Sequence, residues 1–282
     1  MYQLSRYEPV DYLVIGHLTQ DITPEGTRLG GTAAYAALTA QAMGLRVGVV
    51  TSWGSEIAPD LDPRISIVNY SAEHSTTFEN VTTSEGRIQF VHYRASDLSL
   101  NLIPDSWRNP AIVHLGPVMQ EVDPTLVRNF PSAFIGITPQ GWLRTVSEKG
   151  RVDSGEWPES TFVLQKAGAA VISIEDVGGN EDKIEDLASS SRILAVTEAG
   201  EGSRVYWHGD VRRFRAPETK LVDDTGAGDI FAAAFFVRLF VTRDPWEAAR
   251  FATQLSAYSV SRSGLQSIPL AEEIEATTVE VF

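Results

Sequence analysis

Asp223-Asp224-Thr225-Gly226-Ala227-Gly228-Asp229 is the stretch of this chain best equipped for chemistry. It runs straight into Ile230–Val237, an apolar, helix-compatible segment that gives out near Arg243-Asp244-Pro245. A loop of small residues therefore opens a helix. The first amides of a helix have no intrahelical acceptor, and their partial positive charge favours an anion in front of them. Gly226, Ala227 and Gly228 carry almost no side chain, so a phosphate can lie against the backbone. Asp229 falls in the first helical turn, beside that anion hole. A carboxylate there can take a proton from a hydroxyl while the amides hold charge on a transferring phosphoryl group. An aspartate in a first turn also simply complements the helix dipole, so the surrounding pattern has to decide.

A second set lies near the start. Gly16-His17-Leu18-Thr19-Gln20-Asp21 follows the short apolar run Tyr12–Ile15, and Gly30-Gly31 precedes the Ala-rich stretch Thr32–Met43. Asp21, on a loop after a strand, can accept hydrogen bonds from two sugar hydroxyls. The paired glycines let a ligand rest on the backbone.

Positioning these groups requires a scaffold, and the chain alternates strand-like and helix-like segments. Tyr12–Ile15, Val47–Thr51, Ile112–Leu115, Phe134–Thr138, Ala170–Ile174 and Ile193–Thr197 read as short buried strands. Thr32–Met43, closed by Gly44, reads as a helix, as do Pro124–Phe130 and Lys183–Ser190. Asp244-Pro245 starts another, expected to run through Trp246–Ser263 to Gly264. This alternation predicts an α/β fold: a doubly wound, mainly parallel sheet with helices on both faces. Ligands then bind beyond the carboxyl ends of the strands. Thr76–Val81 and Arg87–Tyr93, around Thr83-Ser84-Glu85-Gly86, break the rhythm with a hairpin pattern, and Arg28-Leu29 can add an edge strand. A small β-sheet lid is expected from segments near 18–30 and 66–97, within one domain spanning 1–282. Val205–Trp207 and Val211–Phe214 read as a further hairpin.

Composition narrows the function. The chain has 282 residues, 43% hydrophobic and 21% charged, which suits one large globular domain. A net charge of -14 argues against nucleic-acid binding, which needs clustered cations. It leaves room for an anionic ligand held by helix termini and a metal ion. With no cysteine, disulfides and thiolate metal sites are excluded. No secretory pattern opens the chain, and no run approaches the roughly 18 apolar residues of a membrane span. A cytoplasmic enzyme, monomer or homodimer, is expected. The five histidines lack ligand-like spacing. There is no Gly-Lys dipeptide of a Walker loop, no dinucleotide fingerprint and no Gly-x-Ser-x-Gly elbow.

The string from Asp223 to Asp229 followed by Ile-Phe resembles the signature of the ribokinase-like (PfkB) family of sugar and nucleoside kinases. The resemblance implies ATP and Mg2+ as cofactors, Asp229 as catalytic base and Gly226, Ala227 and Gly228 as the anion hole. It implies that Asp21, Gly30 and Gly31 bind the phosphoryl acceptor. Ser173-Ile174-Glu175-Asp176 stands where the family has Asn-x-x-Glu, which assigns Ser173 to the nucleotide and Asp176, indirectly, to Mg2+. Thr197 to Gly202 resembles the nucleotide loop, with Thr197, Gly200 and Gly202 retained and Ala199 replacing a glycine. Ser259–Gly264 resembles the stretch flanking the adenine, so Ser259 joins the nucleotide set. Asp223 and Thr225 would serve a monovalent cation, K+. Tyr35 stands where ribokinases proper carry a ribose-binding Asn. Pro117–Glu121 and Pro139–Arg144 are similar to segments of the inositol-kinase branch, which places Glu121, Gln140 and Arg144 on a polyol such as myo-inositol. The implied reaction is ATP-dependent phosphorylation of a sugar, cyclitol or nucleoside. A catalytically inactive polyol- or nucleotide-binding protein of the same fold is the alternative, and the retained Asp229 speaks against it.

Overall fold

The computed structural model describes residues 7–24, 26–56, 60–83 and 86–278. In chain order the strands are β1 (Tyr12–Ile15), β2 (Thr19–Thr23), β3 (Gly26–Gly30), β4 (Val47–Trp53), β5 (Ser66–Ser71), β6 (Thr76–Thr83) and β7 (Gly86–Tyr93). They continue as β8 (Ile112–Leu115), β9 (Phe134–Ile137), β10 (Arg144–Val146), β11 (Val152–Ser154), β12 (Ala169–Ser173), β13 (Ile193–Thr197), β14 (Ser203–Trp207) and β15 (Asp210–Phe214). The α-helices are α1 (Thr32–Ala42), α2 (Ser160–Lys166), α3 (Glu181–Ser190), α4 (Ala227–Thr242), α5 (Pro245–Ser259) and α6 (Ala271–Thr277).

Nine strands form the main sheet in the order β15-β14-β13-β12-β9-β8-β1-β4-β5. Seven run parallel from β13 to β5, and β14 and β15 add an antiparallel edge. The β14–β15 hairpin expected from the sequence is thus part of the main sheet. The chain builds outward in opposite directions from β1 and β8, so the crevice between them is the switch point at which such sheets bind ligands. The parallel strands are short and apolar because both faces are covered. One hydrophobic cluster joins the sheet to α1, α4 and α5 through residues such as Ala37, Phe235 and Leu255. The other, with Trp107, Val163 and Ile184, covers the opposite face. α4 is buried almost continuously from Ile230 to Val237, which explains why its sequence is apolar all round.

β2, β3, β6 and β7 form a separate four-stranded sheet in the order β3-β2-β6-β7. Arg28 and Leu29 lie in its edge strand, as the pattern suggested. The turn residues Ser84 and Glu85 lie outside the described residues. Three expectations need correction. Ser66–Ser71, taken with the lid segment 66–97, pairs with β4 and closes the main sheet. Pro124–Phe130 forms only a 3₁₀ turn over Pro124–Arg128, because Pro131 disfavours helical backbone at the residue before it. α5 stops at Ser259 instead of reaching Ser263. There the Val260 carbonyl accepts from Val222 and Asp223 N–H, and the Gly264 amide that would continue the helix donates to the Asp223 carboxylate.

Candidate active site

One cavity of about 600 Å³ opens along the carboxyl ends of β9, β12 and β13 and runs beneath the small sheet. Its centre is the start of α4. Gly226 caps that helix with φ 81°, a left-handed conformation that a side chain resists. A Cβ there would also stand 2.3 Å from the Tyr35 ring, so glycine is required twice over. Of the three expected anion-hole amides, that of Ala227 already donates to the Asp224 carbonyl at 3.1 Å. Gly226 and Gly228 are left to offer theirs to a ligand.

Asp229 stands one residue further on, deep in the cleft with its carboxyl reaching the cavity. Burial pushes its pKa up to about 6. A hydrogen bond from Thr32, at the start of α1, and the Arg144 charge oppose the rise, while the carboxylates of Asp176 and Asp21 add to it. A base tuned close to neutral pH suits proton abstraction from a hydroxyl.

Asp21 lines the part of the cavity beneath the small sheet. It stands on β2, opposite Arg28 of β3, and not on a loop as expected. The absence of a Cβ at Gly30 makes room for it, since one built there would meet the Asp21 Oδ2 at 2.4 Å. Gly31, with φ 89°, turns the chain into α1 and lines the cavity, whereas Gly30 does not. Tyr35, Gln140 and Arg144 line it too. Gln140 Nε2 donates to Asp176 Oδ1 at 3.2 Å, and Arg144 donates to the Val118 carbonyl at 2.8 Å while lying over the Phe78 ring. Glu121 does not belong here. It is buried outside the cavity, and its carboxylate accepts from the amides of His17, Val118 and Met119, which pins the β1 and β8 loops together.

Asp176 also faces the cavity, accepting from the Ser173 amide at 2.8 Å. Burial raises its pKa, against the pull of that amide, Arg144 and Gln140. Ser173, Thr197, Gly200 and Gly202 line the distal half. Ser259 is absent from it. Its side chain is buried and donates back to the Ser256 carbonyl. The helical period instead turns Thr253, Ser256, Ala257 and Val260 toward the cavity, which Ala216, Pro217 and Leu221 also line. The Asp223 carboxylate accepts from the Thr225 amide, the Ser263 hydroxyl and the Gly264 amide, with Arg28 at 3.8 Å. Burial acts to raise its pKa, but these hydrogen bonds outweigh it and hold the group below the usual carboxylate range. Asp223 thus ties two loops together; it does not line the cavity, whereas Thr225 does.

Sequence reasoning missed Phe78, Asn80 and Gln89, which the small sheet contributes to the cavity lining beside Asp21. Gln89 Nε2 donates to Asn80 Oδ1 at 3.0 Å across β6 and β7. The signal was available, because Phe78 and Asn80 are two apart on a strand and so share a face. Six carboxylates line the cavity (Asp21, Glu175, Asp176, Glu218, Asp224 and Asp229) against a single cation, Arg144, among the described residues. No group of three or more of them, or of histidines, is arranged to hold a metal on its own among the described residues.

Residues 168–272 match the pfkB family carbohydrate kinase. Over 250 residues the chain is 24% identical to the cytidine kinase of Thermococcus kodakarensis, covering 80% of this chain and 87% of that one. A shorter stretch of 101 residues is 37% identical to the 5-dehydro-2-deoxygluconokinase of Bacillus subtilis, covering 35% of this chain and 31% of the relative. Among solved structures, a pyrophosphate-dependent kinase of the ribokinase family, complexed with a pyrophosphate analog and myo-inositol, superimposes with a TM-score of 0.78. It is 21% identical, over 94% of this chain and 99% of the other.

Proposed function

We propose that the chain is a ribokinase-like kinase of the PfkB family and that it transfers the γ-phosphoryl group of ATP to a hydroxyl of a neutral polyhydroxylated ring. The observation that carries this reading is Asp229, a buried carboxyl with its pKa raised to about 6, at a helix N-terminus in a cavity shared with Asp21. Asp229 takes the proton of the attacking hydroxyl. The amides of Gly226 and Gly228 meet the transferring phosphoryl, and in-line geometry comes from holding donor and acceptor at the two ends of one cavity. The part of the cavity that α5 and Ala216-Pro217 line takes the base, and Ser173, Thr197, Gly200 and Gly202 flank the phosphates. Carboxylate oxygens suit a hard cation, so Asp176 would help hold Mg2+ brought in with the triphosphate. The ion offsets phosphate charge that this acidic cavity cannot offset alone. Since Asp223 is committed to protein donors, no step is assigned to K+.

The charge balance favours a neutral acceptor. A phosphate or carboxylate on the acceptor would sit beside Asp21, Asp176 and Asp229 with only Arg144 to oppose them. Asp21 accepts from paired hydroxyls; Gln140 and Arg144 donate to others; Asn80 and Gln89 approach from above. Tyr35 packs on Gly226 where a ribose site would use an amide. Myo-inositol is the first candidate, as in the solved relative bound to it, and a furanose or nucleoside is next, as in the cytidine kinase. Release of ADP from ATP should be fastest with myo-inositol among myo-inositol, ribose, fructose and adenosine. Fast turnover of ribose or adenosine with none of inositol discards the cyclitol and keeps the kinase.

The small sheet is the lid, within a single kinase domain spanning 1–282. Closure over the acceptor excludes water during transfer. Hydrogen exchange in residues 76–83 and 86–93 should slow when acceptor is added. Exchange that does not change contradicts a closing sheet.

A further inference from the structure

A second cavity, of about 760 Å³, lies at the opposite end of the same strands. Phe134 begins β9, Gly168 precedes β12 and Arg192 precedes β13, while the carboxyl ends of these strands line the active site. α4 also joins the two: its N-terminus holds Asp229, and about 24 Å away, at 1.5 Å per residue, its C-terminus presents Phe240 and Arg243 to the second cavity.

The charge of this cavity is opposite to that of the protein. Arg128, Lys166, Arg192 and Arg243 line it, and no aspartate or glutamate does. None of the four forms an ion pair among the described residues, in a chain with 37 acidic and 23 basic residues. Part of this positive charge answers the carboxyl ends of α2, α3 and α4, which finish beside Lys166, Arg192 and Arg243. Three helix ends carry only about half a negative charge each, so roughly two and a half positive charges are left over. Phe134 and Phe240, with ring centroids 6.4 Å apart, form part of the lining, and the Arg243 guanidinium lies 4.7 Å from the Phe240 ring centre. Arg128 is held 4.1 Å from the Phe162 ring. The rim is thus cationic and partly fixed in place, and the wall is aromatic.

We propose that this cavity is a second binding site, for an organic anion: a flat ring bearing phosphate or carboxylate. The ring lies against Phe134 and Phe240, and the anionic group meets Lys166 and Arg192, the two cations with no aromatic partner of their own. Unpaired cations around a cavity concentrate such a ligand, and the Lys166 ammonium and Arg192 guanidinium can meet its oxygens by charge-assisted hydrogen bonds.

The test is calorimetric titration of phenyl phosphate into the full chain, with Mg2+ and a saturating non-hydrolysable ATP analogue occupying the active site. One saturable binding event is expected. Lys166→Gln with Arg192→Gln, both on exposed residues, should weaken it at least about tenfold, the loss of two charge-assisted contacts, with ADP release from the active site unchanged. Absence of saturable binding to the wild type, or equal binding to the double variant, overturns the site.

Discussion

Asp229→Asn should fold, bind ATP and lose turnover by about 10²- to 10⁴-fold, the usual cost of removing a general base. The amide keeps the size of the carboxyl and can still meet Thr32, so the start of α4 and its anion hole stay in place. It cannot accept the hydroxyl proton. The pH dependence of the wild type carries the same signature. With a base titrating near 6, kcat/KM for the acceptor should be flat above that pH. Below it, the proton already occupies Asp229, and the rate should fall about tenfold per pH unit. Near-wild-type turnover in the variant removes Asp229 from the mechanism. A rate independent of pH between 5 and 7 says that the carboxyl is not tuned as its burial implies.

Asp21→Ala should weaken acceptor binding by roughly a hundredfold or more, because each hydrogen bond to a charged group contributes about 1.5–3 kcal/mol and two hydroxyls lose theirs. ATP affinity should change by no more than about twofold, as expected for sites that share no partners. The proposed function puts the two ligands at different ends of the cavity, and Asp21 lies at the end under the small sheet. Calorimetry showing equal losses for acceptor and ATP contradicts that division.

Much of this arrangement could be read before the fold was known. The strands of the main sheet, the α4 anion hole and Asp229 follow from local pattern: short apolar runs, small residues before a helix, and a carboxyl in its first turn. Asp21, Gln140, Arg144, Ser173, Asp176, Thr197, Gly200 and Gly202 also converge on one cavity. Most of what was missed depends on contacts distant in sequence, and Ser259 on local helical phase. Glu121 looks like a polar loop residue until the amide of His17, from the loop after β1, is seen to donate to it. Asp223 is tied in place by Ser263 and Gly264, which arrive from beyond α5 and which its own neighbourhood does not announce. Ser259 has the right neighbours but the wrong helical phase. Asn80 and Gln89 reach the cavity only because β6 pairs with β2, which brings the hairpin back over the cleft.

The central claim is transfer of a phosphoryl group to an acceptor hydroxyl, and ³¹P NMR follows that event itself. Wild-type protein with ATP, Mg2+ and myo-inositol should give a new phosphomonoester resonance that grows in step with ADP, while inorganic phosphate stays at background. ADP appearing with inorganic phosphate and no phosphomonoester, for myo-inositol and for every sugar and nucleoside tried, would contradict the account.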